Sequence, residues 1–310
     1  MAVSTPASAA SPLRDTRCMI CDTREFDREV YAMNFQPSDL NHAVFSARRL
    51  PDRLHYRMVR CGQCGLLRSD PILNDEELSR LYSGSEFTYA AEAEFTGATY
   101  LEYLRKTLPH VRERGRIMEI GCGSGFFLEH ALDEGFKEAW GIEPSVAAVE
   151  QASPRLRDHL RIGLYDRTTF APEQFDVICA FQILDHAPDP AGMLRACYEH
   201  LRPGGLALFI NHDAGALSAR LLGELSPIVD VEHTVLFDQR TMRKMFERAG
   251  FRVHDVFSVR NTYPLQYWAK MAPLPGPLKS AGQTVLRTSG LGRIPISLKA
   301  GNLGAIAVKG

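Results

Sequence analysis

The stretch MEIGCGSGFFLEH, residues 118–130, constrains the possible folds more than any other part of the sequence. A short apolar run ends in a glycine-rich turn, and the turn opens directly into a predicted helix. Gly121, Gly123 and Gly125 lie on this turn, where the absence of side chains lets a ligand approach the backbone closely. A glycine pattern alone is weak evidence, but its place between strand and helix predicts a ligand-binding turn of an α/β fold.

From residue 116 onward, apolar runs of strand length alternate with amphipathic segments of helical length. The runs are RIMEI, EAWGI, HLRIG, FDVICAF and GLALFI, followed later by FRVHDVFSV and the C-terminal GNLGAIAVKG. This alternation is typical of parallel strands joined by right-handed crossovers. The sequence therefore predicts an α/β fold with a doubly wound, Rossmann-like, mostly parallel seven-stranded sheet.

Composition places the chain among ordinary globular proteins. Of its 310 residues, 45% are hydrophobic and 24% are charged, and the formal net charge is -1, which disfavours a nucleic-acid partner. No apolar run reaches the roughly 18 residues needed to span a bilayer. The cysteines lack the density of a disulfide framework, so we expect a reducing, cytoplasmic location.

Four zones follow one another along the chain. We expect a disordered leader, a small zinc-ribbon-like module, a helical connector or lid, and a ligand-binding domain, at residues 1–16, 17–72, 73–110 and 111–310. The last zone contains an insertion at about residues 261–300 that includes LQYWAKM. Insertions of this length are usually functional, and we expect this one to shape the pocket of a substrate.

Two CxxC pairs bracket the predicted N-terminal module. Cys18 and Cys21 form the first pair, and Cys61 and Cys64 form the second. Two such turns can present four thiolates to one tetrahedral Zn²⁺, and four protein ligands would leave no open position, so the ion would be structural. A redox-active CxxC and unrelated buried cysteines are the competing interpretations, although a redox motif needs only one pair.

Two carboxylates suggest what the glycine turn binds. Glu143 in GIEPS follows the second apolar run and can accept hydrogen bonds from a ribose diol. Glu119 lies two residues before the first glycine, where it would repel the pyrophosphate of a nicotinamide cofactor but suits an ammonium and a sulfonium. A domain of this architecture that has lost its ligand is the remaining alternative.

These motifs carry a resemblance. Residues 116–205 resemble the class I S-adenosylmethionine-dependent methyltransferases in four ordered stretches, EIGCGSG, GIEPS, FDVICAFQILDHAPDP and LRPGG. The resemblance implies S-adenosyl-L-methionine as cofactor, with Glu119 and the glycine turn near its methionine moiety. It further implies that Glu143 binds the ribose hydroxyls and that Phe181 and Gln182 line the cofactor.

The chain departs from the family pattern after the third strand. Relatives often carry an acidic residue directly after the glycine there, whereas Gly163 is followed by Leu164 and Tyr165. Tyr165 is the candidate to stack on adenine, and packing on the protein is its alternative role. Tyr82 and Tyr89 of the connector fall in a segment that folds over the cofactor in the resembling family, and simple aromatic packing is equally compatible with them.

Three histidines follow predicted strands at the edge where a methyl acceptor should bind. His186 and His212 are each compatible with a contact near the acceptor or with a structural role. His233 resembles a histidine of the zinc-containing deoxysugar C-methyltransferases, where a Glu-His pair is associated with proton transfer. The candidate catalytic residues are therefore His233, with Glu232 orienting it if the two side chains meet, and His186.

The layout of the N-terminal half resembles the zinc-binding module that precedes the methyltransferase domain in sugar C-methyltransferases and their polysaccharide-cluster relatives. The combined resemblance implies an enzyme that methylates a small molecule, with a nucleotide-linked or glycan-associated sugar as the first candidate acceptor. O- or N-methylation of another metabolite is the second interpretation. A zinc-ribbon interaction protein that binds the cofactor without turnover is the third.

Overall fold

The structure, a computed structural model, describes residues 12–36, 39–40, 53–74, 77, 93–271 and 276–310. Its N-terminal part contains the strands β1 (Leu13–Arg14), β2 (Asp27–Tyr31), β3 (Met58–Cys61), β4 (Leu67–Ser69) and β5 (Ile72–Leu73). The chain continues through α1 (Ala93–Thr107), β6 (Arg116–Ile120), α2 (Phe126–Asp133), β7 (Glu138–Glu143), α3 (Val146–Glu150), β8 (Leu160–Ile162), β9 (Phe175–Phe181), α4 (Pro190–His200) and β10 (Leu201–His212). It ends with α5 (Leu217–Leu222), β11 (Val235–Leu236), α6 (Gln239–Arg248), β12 (Phe251–Pro264), α7 (Leu265–Met271), α8 (Gly276–Thr288) and β13 (Pro295–Lys309).

The main sheet has seven strands in the order β12-β13-β10-β9-β6-β7-β8. The five strands from β10 to β8 are parallel, whereas β13 runs antiparallel to both of its neighbours. Strand β9 lies at the centre, and all of its residues are buried, which explains its unbroken apolar sequence. The predicted doubly wound, mostly parallel seven-stranded α/β fold is confirmed.

Local sequence signals fix the crossover helices of this sheet. The Ser145 side chain accepts a hydrogen bond from the Ala148 N–H at the start of α3, and Asp189 caps α4 directly before Pro190. Asp238 forms a reciprocal capping box at the start of α6. These caps satisfy N–H groups that the helices leave free, so each helix begins where the sequence specifies.

The N-terminal module and the main domain share a sheet. Strands β2, β3 and β4 pair antiparallel, and β11 from the later part of the chain adds the fourth strand against β4. The pairs are Val235 with Arg68 and Leu236 with Leu67. The module is thus hydrogen-bonded to the segment that directly follows His233.

Three sequence expectations need correction or limits. The sequence predicts a disordered leader as far as residue 16, but β1 pairs with β5, and the Thr16 hydroxyl donates to the Ser69 carbonyl. Hydrogen bonding to the module therefore orders the chain from residue 13; residues 1–11 lie outside the described residues. Tyr82 and Tyr89 also lie outside them.

The insertion is shorter than the sequence suggests. Strands β12 and β13 pair as far as Pro264 with Pro295, so the segment between them is residues 265–294, which contains α7 and α8. The two ends of the expected insertion, residues 261–264 and 295–300, belong instead to the long antiparallel strands β12 and β13. No helix in the described ranges is both long and apolar enough to cross a membrane.

Candidate functional site

The glycine turn between β6 and α2 adopts a backbone that requires glycine. Gly121, Gly123 and Gly125 have φ angles of 72°, 54° and 83°. A Cβ atom on Gly121 would overlap with the side chain of Ile183, and one on Gly125 would overlap with Leu156. The turn therefore brings bare backbone to the carboxyl end of the sheet, where ligands of open α/β folds bind.

Two glutamates line this turn from beneath. The Glu143 carboxylate at the end of β7 accepts hydrogen bonds from the N–H groups of Gly123 at 3.0 Å and Ser145 at 2.9 Å. Glu119 in β6 is only 5% exposed, and its Oε2 has no hydrogen-bond partner among the described residues. Burial, and then the charge of Glu143, raises the pKa of Glu119 well above its usual range.

The end of β9 completes this part of the site. Gln182 adopts a left-handed backbone with φ of 58°, and its buried Oε1 has no hydrogen-bond partner in the part of the chain that the structure describes. The Phe181 ring stacks on Tyr100 of α1 with ring centroids 4.0 Å apart. Helix α1 thus covers the strand end from one side and shields it from water.

The residues present fit the cofactor that the sequence predicted. Among the described residues, the buried Glu119 Oε2 has no hydrogen-bond partner, which is energetically unfavourable. A positively charged group of the cofactor would provide a favourable interaction for this oxygen. Lone pairs of Glu143 that its two backbone contacts leave free are available to hydroxyl groups. The cofactor roles of Glu119, Gly121, Gly123, Gly125, Glu143, Phe181 and Gln182 stay predictions, and the geometry brings all of these residues together.

Tyr165 lies differently from this group. Its hydroxyl is 2.7 Å from His200 Nδ1 at the end of α4, and the two rings meet edge to face. The tyrosine also packs against the main hydrophobic core. These contacts correspond to the packing role that the sequence left open, and stacking on adenine stays a prediction.

A histidine and carboxylate cluster lies at the same end of the sheet. It consists of Asp185, His186, His212 and His233, whose ligand-type atoms all lie within 4.8 Å of one another. The loop after β9 supplies the first two residues, and the end of β10 supplies His212. The segment that carries His233 is attached to the loop after β9, because the Thr234 N–H donates to the Asp185 carbonyl at 2.9 Å.

Short polar contacts hold the cluster together. His212 Nδ1 lies 2.7 Å from Asp185 Oδ2 and 3.1 Å from His233 Nε2. Asp185 is completely buried, and its second oxygen, Oδ1, has no hydrogen-bond partner among the described residues. The His186 and His212 side chains are 27% and 25% exposed, so the cluster is reachable from solvent.

The pKa shifts within the cluster differ in direction from residue to residue. Burial lowers the pKa of His186 to about 4, and the neighbouring His233 contributes to this shift. Burial also acts to lower the pKa of His233, but the Asp230 carboxylate outweighs it and raises the pKa to about 9. Burial acts to raise the pKa of Asp185, yet His212 holds it well below its usual range.

Asp230 occupies the position that the sequence assigned to Glu232. The His233 Nδ1 lies 2.6 Å from Asp230 Oδ1, and the backbone N–H groups of Glu232 and His233 donate to the same oxygen. Glu232 contributes only the last of the charge effects on the pKa of His233. Sequence reasoning missed Asp230 because a carboxylate three residues away faces the ring only when the chain turns tightly.

The four predicted zinc ligands also come together. The sulfur atoms of Cys18, Cys21, Cys61 and Cys64 lie within 4.8 Å of one another, with Cys18 Sγ and Cys64 Sγ 3.4 Å apart. Tetrahedral bonds of about 2.3 Å would separate the sulfurs by about 3.8 Å. The donor set therefore fits Zn²⁺, and the ion itself stays a prediction.

Hydrogen bonds connect this module to the histidine cluster. The Ser69 N–H in β4 donates to the Thr234 carbonyl at 2.9 Å, and the Ser69 hydroxyl donates to the His233 carbonyl at 3.2 Å. On the other side, the Arg240 guanidinium donates to the Cys64 carbonyl at 2.8 Å. The module therefore fixes the backbone that carries His233.

Relatives with known names match part of this chain. Ubiquinone biosynthesis O-methyltransferase of Stutzerimonas stutzeri is 32% identical over 123 residues, which are 37% of this chain and 53% of that protein. The enzyme of the same name from Pseudomonas fluorescens is 28% identical over 172 residues, 51% of this chain and 73% of that protein. The chain thus spans about half the length of the first of these curated relatives.

Two solved structures are similar to this chain, and a family model matches it. An S-adenosylmethionine-dependent methyltransferase from Archaeoglobus fulgidus aligns with a TM-score of 0.46 at 18% identity, covering 72% of this chain and 100% of that one. One from Mesorhizobium loti aligns with a TM-score of 0.45 at 18% identity, covering 69% and 99%. The family model described as a methyltransferase domain matches residues 92–256, more than half of the chain. The chain therefore belongs to the methyltransferase-domain family.

Proposed function

We propose that the protein is an S-adenosylmethionine-dependent methyltransferase that acts on a small molecule. The observation that carries this proposal is the position of two groups at one sheet edge. The glycine turn with its two glutamates and the histidine cluster both lie at the carboxyl ends of parallel strands. Ile183 bridges them, because its side chain packs against Gly121 and it lies two residues before Asp185. A donor and an acceptor bound at these groups would be adjacent.

The cofactor, when bound, supplies a methyl group on a sulfonium. The chain's own residues then have two tasks, to align the acceptor and to remove a proton that it carries. We assign the second task to the histidine cluster, with Nε2 of the neutral form of His233 as the receiving atom. Because the pKa of His233 is raised to about 9, transfer should become faster as the pH rises toward that value. Asp230 orients this ring through Nδ1 and leaves Nε2 directed at His212. His186, whose side chain is 27% exposed, is the second candidate for an acceptor contact, whereas Glu232 has weaker support.

A nucleotide-linked or glycan-associated sugar is the first acceptor class that we propose. Its support is the four-cysteine module, whose layout resembles that of sugar C-methyltransferases and which lies before the family match at residues 92–256. A phenolic hydroxyl is the second class. Its support is the name of the matched relatives, which are O-methyltransferases of ubiquinone biosynthesis.

Calorimetry with S-adenosylmethionine and S-adenosylhomocysteine tests the cofactor. We expect both to bind, and we expect Glu143→Gln to weaken binding by roughly 5- to 150-fold, because an amide disrupts a partly buried carboxylate with two backbone donors. Glu150→Gln, at an exposed glutamate of the following helix, is the matched control and should bind normally. If neither ligand binds the wild-type protein, the proposal is wrong.

The acceptor is tested by transfer of a labelled methyl group to a panel of nucleotide sugars and phenols. Transfer to carbon of a sugar would support the first class, and transfer to a phenolic oxygen would support the second. Cofactor binding with no transfer to any compound of either class would favour the non-catalytic interaction protein. His233→Ala should abolish transfer and spare cofactor affinity, since His233 lies on the acceptor side.

A further inference from the structure

We propose that Asp185, His186, His212 and His233 bind one divalent transition-metal cation beside the cofactor turn. Three imidazoles and one carboxylate form a ligand set that suits Zn²⁺, Fe²⁺ or Co²⁺. The site is separate from the four-cysteine site, which uses sulfur ligands only. The inference takes its purpose from the proposed function, but its test does not, because cation binding is measured without any acceptor.

The spacing of the donor atoms supports this site. Bonds of about 2.0–2.2 Å in a tetrahedral site would place neighbouring ligand atoms about 3.4 Å apart. The separations observed are 2.7 Å from His212 Nδ1 to Asp185 Oδ2, 3.1 Å from His212 Nδ1 to His233 Nε2, and 3.9 Å from His186 Nε2 to Asp185 Oδ1. These values bracket the expected separation, so small side-chain rotations would suffice to coordinate an ion.

An unsatisfied buried oxygen is the second observation. Asp185 is fully buried, and within the described ranges nothing donates a hydrogen bond to its Oδ1. Such an oxygen is costly unless a cation or a donor compensates it. His212 Nδ1 faces both Asp185 Oδ2 and His233 Nε2, yet one ring nitrogen offers a single proton or a single lone pair. A cation would satisfy all of these atoms at once.

The surroundings of His233 match a metal-bound histidine. Ligating histidines usually direct their other ring nitrogen at a carboxylate, which fixes the tautomer and the ring orientation. Asp230 supplies this carboxylate at 2.6 Å from Nδ1 and is itself held by two backbone N–H groups. Asp230 is therefore the positioning residue of the site and not a ligand.

A cation here changes how the acceptor would lose its proton. His233 Nε2 would be a ligand, and the ion would take over its role by lowering the pKa of an acceptor oxygen that it binds. The partly exposed His186 and His212 leave a route for that oxygen. The alternative source of positive charge in the cluster is a protonated His233. If the cluster is a metal site, added cations should bind to it, whereas a protonated His233 should repel them.

Titration with Co²⁺, followed by visible absorption, tests the proposal on protein that holds one equivalent of zinc, so that the four-cysteine site is filled and the histidine cluster carries no zinc. We expect about one equivalent to bind with the comparatively intense visible d–d bands of four-coordinate cobalt and no sulfur-to-cobalt charge transfer, which would identify nitrogen and oxygen ligands. His212→Ala should abolish these bands. His254→Ala removes an exposed histidine outside the cluster and should leave them unchanged.

Asp230→Asn provides a second variant that keeps every ligand. It should weaken Co²⁺ binding by roughly 10- to 100-fold. Calorimetry with S-adenosylmethionine on the same samples shows whether each variant is folded and tests the proposed cofactor separately. Absence of cobalt bands from wild-type protein that binds the cofactor would overturn the inference, as would bands that His212→Ala and Asp230→Asn both leave unchanged.

Discussion

The four-cysteine cluster and the histidine cluster are both groups of four possible ligands, but the chain assembles them differently. Each cysteine pair lies within one tight turn, so the backbone of a few residues brings two sulfurs together. The histidine cluster draws on three segments, residues 185–186, 212 and 233. The pairing of β9 with β10 brings the first two together, and the Thr234 N–H bond to the Asp185 carbonyl attaches the third. Spacing in the sequence therefore encodes the first site, and the order of strands in the sheet encodes the second.

The comparison also shows a direction of dependence. Strand β11 follows His233 and completes the sheet of the cysteine module, so loss of the module should disturb the histidine cluster. The reverse should not hold, because the cysteine turns receive no hydrogen bond from Asp185 or His212 within the described residues. Four predictions test this asymmetry and the parts that surround it.

The largest effect is expected from Cys61→Ser. A structural zinc site contributes about 10 kcal/mol or more, so the variant should lose its zinc and unfold the module, and methyl transfer should fall because β11 no longer has its partner. Zinc content by mass spectrometry and hydrogen exchange in β3 and β4 measure the result. Cys179→Ala, at a buried cysteine of the main sheet, should retain zinc. Full zinc in both variants would show that the cysteines do not hold an ion.

Asp230→Asn and Glu232→Gln compare the structural and the sequence-based partner of His233. Loss of a carboxylate that orients a functional histidine costs roughly 10- to 100-fold in activity. Loss of the partly exposed Glu232 charge, which ranks behind the charges of Asp230 and Asp185 among the causes that raise the pKa of His233, should cost about 5-fold or less. Steady-state rates with a single acceptor decide between them. A larger loss of activity for Glu232→Gln than for Asp230→Asn would indicate that Glu232, as the sequence predicted, is the carboxylate that orients His233.

Gly121→Ala tests the glycine turn between β6 and α2, which belongs to neither cluster. The φ of 72° and the overlap of a new Cβ with Ile183 should cost about 1–3 kcal/mol and weaken cofactor binding. Gly282→Ala in α8 is the control, because no atom lies within 4 Å of its added Cβ. Denaturant unfolding and calorimetry provide the two measurements. Equal stability and affinity for both variants would contradict the strained turn.

Arg240→Ala should give the smallest effect. Its guanidinium donates to the Cys64 carbonyl, and one such hydrogen bond is worth about 0.5–1.5 kcal/mol. We expect faster release of zinc to a chelator and unchanged cofactor affinity. Arg248→Ala, at the exposed end of the same helix, removes an equal charge without this contact. If both variants release zinc at the same rate, the bond does not couple α6 to the module.

Much of the fold was predictable from the sequence because its signals are local. The apolar runs, the helix caps at Asp189 and Asp238, and the glycines of the turn each act within a few residues. The leader and the insertion were predicted less well. Pairing of β1 with β5, and of β12 with β13 as far as Pro264, depends on partners distant in the chain. Local composition does not identify such partners.

The features of the candidate site also fall into those that local sequence signals predict and those that depend on distant parts of the chain. The sequence by itself determined the class of fold, the cysteine pairs and the glycine turn, because spacing along the backbone fixes each of these, whereas the role of His233 came from a resemblance and stays a prediction. Only the tertiary structure placed Asp230 on His233, left one oxygen of Asp185 unpartnered among the described residues, and joined β11 to the cysteine module. The physical reason is that hydrogen bonds between distant segments depend on sheet order and burial, and neither is written in the spacing of residues.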